Sequence, residues 1–95
     1  MATYHILYWQ EIPSLVEARD ENESHKIQLS QKYQALIDQA AMVRKFAGSD
    51  SYLEQWNKGK TETRSGSAKD VARQVAAELE SRFEQFREKV VNKPN

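Results

Sequence analysis

The sequence predicts an α+β protein, a two-layer sandwich in which a small, mostly antiparallel sheet of about four strands packs against two helices in the order β-β-β-α-β-α. Three observations carry this. Short runs rich in β-branched and aromatic residues precede residue 30. Apolar residues then recur at helical spacing from Tyr33 to Ala47, and a second, longer helical stripe runs from Val71 to Val90. No segment repeats another, and 95 residues are enough for one modest core. The expected organisation is one domain over residues 1–92 with a frayed tail at 93–95.

Thr3–Trp9 (TYHILYW) is the first strand, with Tyr4, Ile6 and Tyr8 on one face and His5, Leu7 and Trp9 on the other. Apolar groups on both faces mark a central strand. Pro13 closes it or opens the next element, since proline cannot donate to a ladder. Ser14–Leu29 reads as a hairpin: a weak strand signal in SLVEARD, the turn DENES at Asp20–Ser24, and an alternating half-buried strand in HKIQL.

Ser30 is placed to cap the central helix through its hydroxyl. Tyr33, Leu36, Ile37, Ala40, Val43 and Ala47 share a face on a helical wheel, and Gly48 supplies the left-handed stop. Arg44 falls inside the apolar stripe. Its plain reading is a side chain snorkelling at the helix C-terminus, where its charge suits the dipole. Ala35, Met42 and Phe46 form a second stripe, read either as contact with the other helix or as a partner surface.

Ser49 or Asp50 begins a short turn through Tyr52 and Leu53. Trp56 leads into a strand, WNKGKTETR, with charges suited to a sheet edge. Ser67 with Asp70 resembles a capping box. The stripe of Val71, Ala72, Val75, Leu79, Phe83, Phe86 and Val90 then predicts one helix of about 24 residues, roughly 36 Å long, whose last turns overhang the sheet and offer an apolar face.

Composition narrows the chemistry. Fourteen basic and fourteen acidic side chains cancel, so no global field draws the chain to nucleic acid or an anionic membrane. Cysteine is absent, which removes disulfides and thiolate chemistry. The N-terminal apolar run is too short for a signal peptide or a membrane span, and the expectation is a soluble cytoplasmic protein. His5 and His25 lack carboxylates at ligand spacing, so no metal is expected. None of the serines sits in a nucleophile elbow, and Gly48, Gly59 and Gly66 lack the spacing of a phosphate cradle. Asp20, Glu21 and Glu23 read as a hydrated turn. No catalytic residue and no cofactor are assigned.

Two residue sets remain. Met42, Arg44, Phe46, Asp50, Tyr52 and Trp56 form the candidate partner-binding surface, because aromatics and arginines dominate interface hot spots. Tyr8, Arg19, Asp20, Arg44 and Tyr52 are the candidate lining of a pocket in a small enzyme or ligand-binding subunit. A third reading places single-stranded nucleic acid on Trp56, Lys58, Lys60 and Arg64, an aromatic platform beside cations. The neutral total disfavours it.

Three blocks carry a family resemblance: YHILYWQEIPSLVEARD (Tyr4–Asp20), KYQALIDQAAMVRKFAGSDSYLEQWNKG (Lys32–Gly59) and DVARQVAAELE (Asp70–Glu80). They resemble a bacterial family of small virulence-factor domains, similar to the N-terminal part of the conserved virulence factor C proteins. The pattern elements are LYW-x-x-IP, AGSDxYLExW and V-A-x-x-V-A-x-E-L-E. In larger members the domain accompanies helical repeats. The resemblance implies an accessory domain that binds rather than catalyses, and it brings no catalytic residues; the expected partner is another protein or a second copy of the chain.

Overall fold

The structure, a computed structural model, describes residues 1–46, 48 and 50–91. Ala47, Ser49 and the tail at 93–95 lie outside the described residues. The elements are β1 (Ala2–Trp9), β2 (Ile12–Arg19), β3 (Ser24–Gln28), α1 (Gln31–Val43), α2 (Asp50–Glu54), β4 (Trp56–Lys58), β5 (Glu62–Arg64), α3 (Ala68–Ser81) and α4 (Phe83–Val91). This is the α+β architecture expected, with an open antiparallel sheet in the order β3-β2-β1-β4, and β5 also pairing with β1.

The first three strands form a meander. The edge strand expected after Trp56 is broken into β4 and β5, which lie in succession along the other side of β1. Three residue steps along β1, from Leu7 to Tyr4, are matched by four from Lys58 to Glu62, so the edge carries one extra residue. Gly59 sits at this bulge and donates its N–H to the Ile6 carbonyl at 2.8 Å. A Cβ there would lie 2.7 Å from the Tyr8 ring, so any larger residue must displace that ring.

A second irregularity lies between the first two strands. Opposite β1 the partner of Leu7 is Leu15 but that of Tyr8 is Pro13, which leaves Ser14 unmatched. The extra residue lies on β2, and at this end of the pair Trp9 is fully buried while Tyr8 is half-buried. Pro13 lies within β2.

The core forms where the helices meet the sheet. From β1 and β2 come Tyr4, Trp9, Ile12, Val16 and Ala18; α1 adds Tyr33, Leu36, Ile37, Ala40 and Ala41; α3 adds Val71, Ala72, Val75 and Leu79. Val43, expected on this face, is 58% exposed, and Ala41 takes its place. Ser30 precedes α1, but its side chain does not cap it. Its backbone N–H and hydroxyl instead donate to the Glu80 carboxylate at 2.6 and 2.7 Å, tying the start of α1 to α3. Ser67 does cap α3, accepting from the Asp70 N–H at 3.2 Å.

The long last helix is two helices. Ser81 Oγ donates to the Glu78 carbonyl at 2.7 Å, occupying the acceptor that the Arg82 N–H would use in a regular helix. Arg82 bonds the Leu79 carbonyl instead, and the same oxygen accepts from the Tyr33 hydroxyl inserted from α1. The chain bends there. α4 folds back on α1, with the Phe83 and Phe86 rings 5.1 and 6.0 Å from the Tyr33 ring and Val90 buried. The apolar face expected to overhang is therefore internal.

Candidate partner-binding site

One end of the sheet gathers most of the residues singled out from the sequence. Gln10 and Glu11 connect β1 to β2 in a two-residue turn, and Gln10 holds a positive φ of 54° that favours glycine. Its polar groups fix it there. The Gln10 N–H donates to the Gln55 carbonyl at 2.9 Å, and its side-chain amide donates to Gln55 Oε1 at 3.0 Å. Its carbonyl accepts from Asn57, and its side-chain oxygen accepts from Arg44.

Arg44 thus has a clear task. Its guanidinium forks onto Glu11 at 2.7 and 2.8 Å and ties the end of α1 to the hairpin tip. The Arg44 hydrogen bonds hold the Glu11 carboxyl below its ordinary range, and Glu11 in turn raises the Arg44 pKa. The helix ends earlier than Gly48. Lys45 takes the left-handed conformation at φ 66°, the Phe46 N–H reaches the Ala41 carbonyl at 2.7 Å, and the Lys45 N–H reaches Met42 at 3.2 Å. These paired bonds form a Schellman motif with lysine where glycine is usual.

That motif turns Phe46 inward. Its ring meets Trp9 edge-on at 5.8 Å; Trp9 also packs against Tyr52 at 5.4 Å and donates its indole N–H to the Tyr52 carbonyl at 2.9 Å. Tyr52 in turn meets Trp56 edge-on at 6.4 Å. Phe46, Tyr52 and Trp56, offered from the sequence as surface groups, are half-buried around Trp9.

Met42 remains outside, 71% exposed, and Leu53 is 67% exposed. Met42 and Tyr52 line an open, mainly apolar depression of about 300 Å³ with Asp38, Ala41 and Gly48. Among the described residues, three of the four exposed large hydrophobics, Met42, Val43 and Leu53, fall on this segment. Asp50 and Glu54 are exposed on α2, beside Tyr52 and Leu53 in sequence.

The candidate pocket set divides. Arg44 and Tyr52 stand at the hairpin tip, and Tyr8 lies one residue into β1 from Trp9. Arg19 and Asp20 lie at the far end of β2, eight residues beyond Ile12 for Asp20, or about 26 Å along the strand. Asp20 accepts from the Ala68 N–H at 2.8 Å and from Asn22 and Glu23 at 2.7 and 2.8 Å; those amides, Ala68 first, hold its carboxyl below the usual range. It caps α3 from the β2–β3 turn. On the proposed nucleic-acid strand, Arg64 is forked onto Glu78 at 2.7 and 3.3 Å and lies over the Tyr4 ring, while Lys58 and Lys60 stay exposed. His5 and His25 stand on β1 and β3, with β2 between them.

Gln10, Glu11, Gln55 and Asn57, which organise this end, carry no motif. The available signal was Gln-Glu as the sole spacer between two strand-like runs. Among the described residues no helix is long and apolar enough to cross a membrane.

The fold and this end together define a class: a small α+β domain with a meander sheet, helices over one face, and an aromatic-backed apolar depression at the hairpin end. The chain matches the Virulence factor family over residues 7–91 and belongs to it. Searches of curated proteins and of solved structures gave no match.

Proposed function

We propose that this chain is a small cytoplasmic accessory module that acts by binding a protein partner, through the depression between the end of α1 and α2. The observation that carries the reading is the exposure of Met42, Val43 and Leu53 along the segment that forms this depression, whose lining Tyr52 is itself packed on the buried Trp9. Asp38 in the lining and Asp50 and Glu54 on α2 make the surroundings acidic. The fitting occupant is an amphipathic segment of the partner, apolar in the depression and flanked by lysine or arginine. The polar groups at this end favour binding over catalysis, since Arg44, Glu11, Gln10 and Gln55 are spent on one another.

Crosslinking capture from the native cell, followed by reconstitution with the purified partner, tests this. Met42→Glu and Leu53→Glu should each weaken the reconstituted complex about tenfold or more, since a hot-spot contact is worth upwards of about 2 kcal/mol. A partner that binds both variants as tightly as the wild type overturns the assignment of this surface. A particle mass of two copies that falls to one in Met42→Glu would make the occupant a second copy of the chain.

A further inference from the structure

The sheet face opposite the core carries a second concavity. Thr3, His5, Glu17, Arg19, Lys58 and Thr61 line a cavity of about 180 Å³. Its geometry follows from the strand register. Thr3 and Arg19 are cross-strand neighbours, as are His5 and Glu17, while the extra residue between Lys58 and Glu62 makes the edge depart from a regular ladder beside His5.

Two cations and one carboxylate line the cavity. Glu17 is engaged through both oxygens, with His5 Nε2 at 3.1 Å and Lys26 Nζ at 3.8 Å. Among the described residues, the side chains of Arg19 and Lys58 have no ion-pair or hydrogen-bond partner. They approach from strands on opposite sides of β1, with the Thr3 and Thr61 hydroxyls on the same cavity. Donors that reach one cavity from separate strands suit a tetrahedral oxyanion, which accepts from many directions, better than a planar carboxylate that one guanidinium fork would satisfy.

We infer that the bulged outer face of the sheet is a phosphate-binding site, in which Arg19 and Lys58 clamp a phosphate group from two strands and the Thr3 and Thr61 hydroxyls complete its shell. The ligand is inorganic phosphate or the phosphoryl head of a small monoester. Glu17 limits the affinity, because its carboxylate shares the cavity even though His5 and Lys26 hold it.

Amide and side-chain NMR titration of the full chain with inorganic phosphate, with glycerol phosphate, and with chloride at matched ionic strength tests the assignment. Both phosphates should give saturable shifts at Thr3, His5, Lys58 and Thr61 below about 10 mM, and chloride should not. Arg19→Ala and Lys58→Ala should each weaken binding about tenfold, the loss typical of one charge-assisted contact. Arg73→Ala on α3 should change nothing. Glu17→Gln should tighten binding, an outcome not expected of a face that is merely solvated. Equal affinity for both phosphates identifies the free ion as the ligand, and tighter binding of glycerol phosphate identifies the monoester. Shifts reproduced by chloride, or binding indifferent to Arg19→Ala, Lys58→Ala and Glu17→Gln alike, overturns the site.

Discussion

Replacing Arg44 by methionine keeps a long unbranched stem and deletes the guanidinium that joins α1 to the hairpin tip. In the intact protein the fork spans 2.7 and 2.8 Å to Glu11, with the Arg44 side chain 15% and the Glu11 side chain 40% exposed. Unit charges about 4 Å apart attract by about 4 kcal/mol at an effective dielectric near 20. Solvent reaches the Glu11 side of the pair, so desolvation and screening cancel much of that, and a double-mutant cycle with Glu11→Gln should give a coupling of about 1–2 kcal/mol. Arg44→Met alone should cost about 2–3 kcal/mol, because Gln10 Oε1 and both Glu11 oxygens lose a donor in a half-buried setting. For a domain of this size that lowers Tm by roughly 8–20 °C. The pH dependence has a definite sign. The folded-state pKa of Glu11 lies below its ordinary 4.5, chiefly through the Arg44 hydrogen bonds. Such a group stabilises the fold above its unfolded pKa, and the stabilisation is lost as pH falls through the folded value. Urea unfolding of the four proteins, followed by tryptophan fluorescence at pH 7 and again near pH 3, reads both effects. A coupling below about 0.3 kcal/mol at neutral pH, or one that does not shrink in acid, refutes the clamp.

Tyr33→Phe removes the hydroxyl that donates to the Leu79 carbonyl and should cost about 1–2 kcal/mol in urea unfolding. Burial pushes the Tyr33 phenol from 10.0 up to about 12, so its contribution is present below pH 10 and lost as pH rises through the folded value. The wild type should therefore lose its stability advantage over Tyr33→Phe between pH 10 and about 12, and an advantage unchanged across that window contradicts the assignment. Gly59→Ala drives a Cβ to within 2.7 Å of the Tyr8 ring and 3.0 Å of the Ile6 carbonyl, and overpacking of this kind should cost about 1–3 kcal/mol. A melting temperature within a degree of wild type would show that the edge bulge relaxes freely.

The fold class was legible because it rests on periodicity. The period-two runs before residue 30 and the helical stripes of α1 and α3 are local signals, and the elements they mark are present in the folded chain even where single positions such as Val43 leave the stripe. What stayed hidden was set by contacts between elements. Nothing around Ser81 announces a helix break, since no proline or glycine is there; the break depends on Tyr33, far away in sequence, reaching the Leu79 carbonyl. The hairpin turn at Gln10 and Glu11 lacks the Asn-Gly or Gly residues by which such turns are recognised, because side-chain hydrogen bonds from Gln55, Asn57 and Arg44 hold the strained residue instead. For the same reason Phe46 was misplaced. A helix stop at Gly48 leaves Phe46 on an outer stripe beside Met42, whereas a left-handed Lys45 ends the helix three residues earlier and swings the ring onto Trp9. Arg44 drew attention as an oddly placed charge, and the oddity was real, but its partner Glu11 could be found only once the strand pairing was known.

These hidden contacts also separate the two proposed surfaces. Met42 and Arg44 belong to the same helical turn about 200° apart, so the residue facing outward and the residue clamping the tip cannot exchange places without unwinding α1. Removing Arg44 thus acts on docking only through the position of the depression, whereas Met42→Glu acts on it directly and leaves the clamp intact. Among the described residues, the phosphate cavity shares no lining residue with the depression. A short connection runs through β4, whose Trp56 touches Tyr52 and whose Lys58 lines the cavity. Because Lys58 is exposed and makes no side-chain bond among the described residues, its substitution has no rigid route to Tyr52. Arg19→Ala and Lys58→Ala should accordingly leave partner binding unchanged, and Met42→Glu should leave the phosphate titration unchanged, since sites that share neither a contact nor a two-state element carry no coupling free energy.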